Sequence, residues 1–258
     1  MSFDVIDFHT HPFALQKNNI CNYKDSIPMS ADSTRALFDR LGVSRICGSV
    51  VEVGAVPSWE HIKSNNDEAL RLKEYYGDFY IPGFHINPDY VEQSLSEMER
   101  MHSLGINLIG ELVPYIDKWQ NDFDSEPFSV LLEQAARYNM IVSLHSMHND
   151  AMDEMVKRHK DVIFVAAHPG EYHDFMRHIE RMKYSENYYL DTSGYGIFRH
   201  GMLKRAVDTF GEDRILFGSD YPTCNAAMYL GGVLYDDLLT DAQKEKILFT
   251  NAKKLLCC

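Results

Sequence analysis

His9 and His11 place two imidazoles two positions apart at the end of the apolar run Val5-Ile6-Asp7-Phe8. In an extended strand the side chains at i and i+2 leave on the same face. Both rings can therefore converge on one ion, at the roughly 2.0–2.1 Å that separates an imidazole nitrogen from Zn²⁺. Taken alone, a His-x-His pair is equally at home in a turn or on an exposed strand end. What gives this one weight is recurrence. Glu111 follows Leu108-Ile109-Gly110, His145 follows Ile141-Val142-Ser143-Leu144, His168 closes the run from Val162 to Ala167, and Asp220 follows Ile215-Leu216-Phe217-Gly218-Ser219. A carboxylate or imidazole ending a buried strand must be paired, coordinated or functional, because desolvating it unaided costs several kcal/mol. A single metal site accounts for all six at once.

Gathering them requires strands whose ends meet. Eight short apolar runs read as strands: Val5–His9, Ile46–Val53, Tyr80–Ile86, Leu108–Val113, Ile141–His145, Val162–Ala167, Tyr188–Leu190 and Ile215–Phe217. Helical spacing fills the gaps at 32–41, 60–76, 127–139, 150–159, 173–183 and 200–210. Asn87-Pro88-Asp89 opens a further helix that Gly105 closes, and Thr240 with Gln243 forms a capping box for the last one. Helix-length connections imply parallel pairing. The expected fold is an α/β (β/α)₈ TIM barrel forming one domain over residues 1–258, with an open doubly wound sheet as the alternative. The barrel is favoured because every strand C-terminus then faces one mouth, where scattered ligands can meet.

The chain's 258 residues, 45% of them hydrophobic, suffice for one large core. A net charge of −13 argues against nucleic acid as a partner, since phosphate backbones are bound by clustered Lys and Arg. No apolar run reaches the roughly 20 residues of a membrane span, and the N-terminus lacks signal-peptide order, so a cytoplasmic protein is expected. Five cysteines without Cys-x-x-Cys spacing suggest reduced thiols. The partner expected is a small-molecule substrate; a homo-oligomer is compatible.

In order along the chain, Asp7-x-His9-x-His11, His145, His168, Gly218-Ser219-Asp220-Tyr221-Pro222 and the closing Ile247-Leu248-Phe249-x-Asn251-Ala252 resemble the amidohydrolase superfamily. The likeness is to its amidohydrolase-related branch, which includes aminocarboxymuconate-semialdehyde decarboxylase. It implies a divalent metal, usually zinc, held by His9, His11, His145 and Asp220, with His168 as a second-metal ligand or a catalytic acid/base. Glu111 looks like the bridging carboxylate of TatD-like relatives and tilts the expected count towards two ions.

Alternatives stay open at several positions. Asp220 could cap a helix, Glu111 could pair with a Lys or Arg, and Asp7 could orient an imidazole or merely fill a layer. Arg199 could hold a substrate carboxylate with its planar fork, or be a solvated arginine at a helix start. Trp59 and Tyr115 are candidate pocket walls, and the mouth segments 12–31 and 114–126 would set specificity. The leading expectation is a metal-dependent hydrolase of small amides, lactones or esters. In it the metal lowers the pKa of a water towards about 7, and Asp220 and His168 are the catalytic residues. The alternative is a non-hydrolytic decarboxylase or hydratase of an unsaturated carboxylic acid. A catalytically silent barrel is a third reading, and the complete ligand set argues against it.

Overall fold

A computed structural model describes residues 3–13, 20–21, 29–196 and 198–257. Eight strands form one parallel sheet in sequence order: β1 (Ile6–Asp7), β2 (Arg45–Ser49), β3 (Tyr80–Phe84), β4 (Leu108–Leu112), β5 (Ile141–His145), β6 (Ile163–Ala167), β7 (Tyr188–Asp191) and β8 (Ile215–Leu216). The last strand returns to the first just beyond their formal ends. Phe8 N donates to Phe217 O, Asp220 N to His9 O and His11 N to Tyr221 O, and Thr10 pairs in parallel with Tyr221. This seam closes the barrel, as the alternation of strands and helices predicts.

The helices are α1 (Ala31–Leu41), α2 (Trp59–Tyr76), α3 (Val91–Ser103), α4 (Pro114–Asp117), α5 (Glu126–Arg137), α6 (Asn149–Arg158), α7 (Tyr172–Tyr184), α8 (Met202–Phe210), α9 (Ala226–Leu234), α10 (Asp241–Glu245) and α11 (Asn251–Leu255). Their ends follow the sequence signals. Asn87 caps a 3₁₀ turn, Pro88–Tyr90, that leads into α3. At the other end Gly105 N reaches His102 O and Ile106 N reaches Met101 O, with Gly105 in the left-handed region at φ 76°. Thr240 and Gln243 make the expected box before α10. Two helices, α4 and α9, are additions to the expected set, and β2 stops at Ser49 rather than running to Val53.

Alternate strand positions separate two cores. Val142, Leu144, Phe164, Ala166 and Phe217 pack outward with helical residues such as Met98, Leu131 and Phe175. Ile141, Val165, Leu108 and Leu216 belong to a separate cluster inside the strand ring. Continuing that inward parity on β5 leads to His145, and on β3, from Ile81, to His85. On β4 strict alternation would send Glu111 outward with Ile109. The pairing with β5 gains one residue between Ile109 and Leu112, which turns Glu111 to the inside. Gly110 sits there at φ 87°, where a Cβ would lie 2.1 Å from Ser143 O.

Between barrel and helices a polar cluster binds α6 to α7. Arg181, fully buried, donates to Asp153 Oδ1 (2.6 Å) and to Asn149 Oδ1 (2.7 Å) and O (2.9 Å). His178 beside it accepts from Tyr188 Oη at 2.7 Å. Burial, together with the Arg181 charge, holds its pKa well below the usual histidine value. The folded chain therefore binds fewer protons here than the unfolded one once pH drops below about 6.5. Stability from this group is complete above that pH and is lost on acidification, by at most about 1.4 kcal/mol per pH unit. Urea midpoints measured from about pH 7 to about pH 5 are expected to fall less steeply for His178→Gln than for the parent; parallel slopes would refute the assignment.

Candidate metal centre

The six residues arrive from the ends of five strands, two of them from β1, and meet at the C-terminal mouth. His9 Nε2 and His11 Nε2 stand 3.2 Å apart, at 3.3 and 3.2 Å from Glu111 Oε2. Asp220 Oδ1 lies 3.8 and 3.6 Å from the same two nitrogens. On the other side of the carboxylate, Glu111 Oε1 is 3.0 Å from His145 Nδ1 and 3.2 Å from His168 Nε2. Two sets of nitrogen and oxygen atoms lie close enough to share an ion, His9 with His11 and Asp220, and His9 with Glu111 and His168. His168 and Asp220 both hold positive φ, 61° and 59°. Such conformations cost a non-glycine residue energy and gather at functional sites.

Fixed hydrogen bonds behind the rings decide which way their lone pairs point. His11 Nδ1 donates to Ser49 O at 3.0 Å, and His9 Nδ1 faces Asp191 Oδ2 at 2.7 Å. The far nitrogens therefore carry protons, and both rings turn Nε2 towards each other and a carboxylate. With both rings neutral the facing lone pairs repel unless positive charge, a proton on His9 or a cation, lies between them.

The charges say the same. Burial opposes a charge on His9, yet Glu111 and Asp191 outweigh it and lift its pKa well above the ordinary value. Burial likewise opposes ionisation of Glu111, and His9, His168 and the bonds from His11 and His145 bring its pKa well below the usual range. Among the described residues no Lys or Arg pairs with Glu111, Asp191 or Asp220. A divalent ion would supply the missing positive charge, and the donor set of imidazoles and carboxylates is of the kind that Zn²⁺ or Mn²⁺ takes.

Asp7, fully buried, accepts from His9 N (3.2 Å) and Ser219 N (3.0 Å), so it ties the β1 loop to the β8 loop. Burial pushes its carboxyl up to about 7 against those bonds. Tyr115 stacks edge-on against His145 with ring centres 5.1 Å apart, and so walls the site; Trp59 instead meets Tyr90 at 6.1 Å. Arg199 does not join the cluster. It is exposed and holds Glu171 Oε1 at 2.6 Å. Most of the mouth segment 12–31 lies outside the described residues.

Two residues escaped the sequence reading. Asp191 ends the run Tyr188-Tyr189-Leu190, the same signal that marked Glu111 and Asp220. His85 ends Ile81-Pro82-Gly83-Phe84 and is buried near enough to His11 and Glu111 for their charges to act on it. Its Nε2 donates to Val50 O at 2.9 Å, while its Nδ1 is a buried acceptor without a partner.

An eight-stranded α/β barrel with imidazoles and carboxylates converging on its C-terminal mouth defines a class of barrel enzymes that work through bound cations. The amidohydrolase family model matches residues 6–257, and this chain belongs to that family. No curated protein sequence matches it. Solved structures do. The 2,6-dihydroxybenzoate decarboxylase from Rhizobium superposes with a TM-score of 0.77 at 17% identity, covering 99% of both chains. A dihydroxybenzoic acid decarboxylase from Polaromonas with bound manganese and the inhibitor 2-nitroresorcinol gives 0.70 at 16%, covering 99% of this chain and 97% of that one. A probable 2-pyrone-4,6-dicarboxylic acid hydrolase from Acinetobacter baumannii gives 0.71 at 15%, covering 99% and 100%. At such identities the likeness establishes the fold. No described helix is long and apolar enough to cross a membrane.

Proposed function

We propose that this chain is a cation-dependent decarboxylase of a small unsaturated carboxylic acid bearing hydroxyl groups, an aromatic hydroxy acid above all. The observation that carries the reading is the buried, unpartnered Nδ1 of His85, close to His11 and Glu111, which calls for a substrate O–H or N–H. His9, His11, Asp220 and Glu111 Oε2 would hold one divalent ion, and Glu111 Oε1, His145 Nδ1 and His168 Nε2 a second. When bound, such ions act as Lewis acids on substrate oxygens, an effect worth several kcal/mol.

The chain's own groups do the rest. Decarboxylation breaks a C–C bond, releases CO₂ and leaves a carbon that needs a proton. Asp220, buried, with Oδ1 towards the imidazoles and Oδ2 towards Cys224 Sγ at 3.7 Å, is placed to hold that proton and deliver it. His85 Nδ1 offers an acceptor that only an O–H or N–H can satisfy, which supports a hydroxylated substrate. Arg199 would reach a substrate carboxylate only by leaving Glu171. The relatives named as decarboxylases support this reading over hydrolysis.

Hydrolysis of a lactone, ester or amide is the second reading. One observation favours it: Glu111 splits the cluster into two ligand sets, and paired cations are frequent in hydrolases. The discriminating assay supplies Mn²⁺- or Zn²⁺-loaded protein with 2,6-dihydroxybenzoate and, separately, with a pyrone lactone. Release of CO₂ from the former is expected; opening of the lactone without any CO₂ from the hydroxy acid would overturn the proposal in favour of hydrolysis.

A further inference from the structure

Behind the two sides of Glu111 stands a single carboxylate. Asp191 Oδ2 takes the Nδ1 proton of His9 at 2.7 Å. Asp191 Oδ1 takes the hydroxyl proton of Ser193 at 2.5 Å, and Ser193 Oγ lies 3.0 Å from His168 Nδ1. Asp191 also accepts from Ser193 N at 2.9 Å, and its carboxyl is fully buried. The bond arithmetic leaves no freedom. An ionised carboxylate can only accept, so Nδ1 of His9 must carry a proton. Ser193 has one hydroxyl proton and spends it on Asp191, so its oxygen can only accept from the His168 ring. Nδ1 of His168 is therefore also protonated, and its backbone N–H points at the same oxygen, at 3.3 Å. Gly194 (φ 68°) completes the seat, since a Cβ there would lie 2.3 Å from His168 Nδ1.

We propose that Asp191 and Ser193 are positioning residues that fix the tautomers of His9 and His168 together, baring both Nε2 atoms towards Glu111 from opposite sides. One short segment, residues 191–194, then prepares both halves of the centre. The inference rests on reading the cluster as a cation site, and it makes an asymmetric demand. Loss of the Ser193 hydroxyl should disturb only the His168 side, whereas loss of the Asp191 carboxylate should disturb both, because Asp191→Ala removes the acceptor of His9 and that of Ser193 together.

The test is cation affinity, read by competition of Zn²⁺ with a chromophoric chelator and by the visible spectrum of the Co²⁺-loaded protein. Ser193→Ala is expected to weaken one ion by about 10–100-fold, the usual effect of removing a hydrogen-bond partner of a ligating histidine, and to leave the other unchanged. Asp191→Ala should weaken both, and Ser193→Thr, which keeps the hydroxyl, should restore the parent behaviour. Natively folded Asp191→Ala and Ser193→Ala with parent affinities would overturn the proposal, as would Ser193→Thr failing like Ser193→Ala. Imidazole ¹⁵N NMR of the metal-free parent at alkaline pH decides the matter even where a variant fails to fold. Nδ1–H on both rings supports the proposal and Nε2–H on either refutes it. A parent protein that takes up no cation, yet shows these tautomers, would sink the cation reading and leave the tautomer assignment standing.

Discussion

Glu111→Gln is expected to cost the protein at least one bound cation per chain and about three orders of magnitude in turnover. The carboxylate meets four imidazole nitrogens, two on each oxygen, all within 3.3 Å. A carboxamide keeps one acceptor and replaces the other with an NH₂ group, so one ligand set loses its oxygen and faces donors instead. Loss of one Lewis acid is worth several kcal/mol, and at 1.36 kcal/mol per decade that is about 1000-fold in rate. Elemental analysis of protein purified without chelator, with CO₂ release measured on the same sample, checks both quantities. Parent ion content together with parent turnover would remove Glu111 from the centre.

The second large effect falls on stability. Arg181→Met is expected to destabilise the fold by about 3 kcal/mol, at the low end of the range for breaking a buried ion pair, because Asp153 keeps Arg177 as a partner at 2.5 Å. Arg181 joins Asn149 at the start of α6 to α7, and these helices follow the strands that lead to His145 and His168. The loss should therefore appear twice, as a melting temperature roughly 10 °C lower and as weaker cation binding on that side of Glu111. Asp153→Leu combined with Arg181→Met should recover part of the stability, because a buried pair replaced by apolar groups is often neutral. A single variant within about 0.5 kcal/mol of the parent would show that the guanidinium is dispensable.

Most of this architecture is legible in the residues because apolar runs and capping signals alternate without conflict. All eight strands fall where the runs do, and the six site histidines and carboxylates lie near the end of a strand or just past it. Alternation does not place Glu111 or His168: counted from Leu108 and Val165, both would turn outward. The extra residue in β4 at Gly110 brings Glu111 in, and His168 follows its strand with φ at 61°. Asp191 obeys the same strand-end rule, one residue beyond the apolar run Tyr188–Leu190. His85 was hidden inside a run counted as structural. α9, Ala226–Leu234, is apolar almost all round and carries Gly231 and Gly232, so it shows no helical stripe. Arg199 illustrates a different limit: where a long side chain rests depends on a partner, Glu171, that sequence proximity does not indicate.

The seam that joins the first strand to the last has a consequence for how this protein comes to be active. Asp7 bonds to Ser219 across 212 positions, and the main chain of His9 holds that of Asp220. A ribosome-bound chain that has emerged only as far as β7 can pair its early strands and already carries Glu111, His145, His168 and Asp191, yet it lacks Asp220, which stands with His9 and His11. The set built on the paired imidazoles is therefore completed only near the end of synthesis, when the closing strand brings Asp220 beside the first.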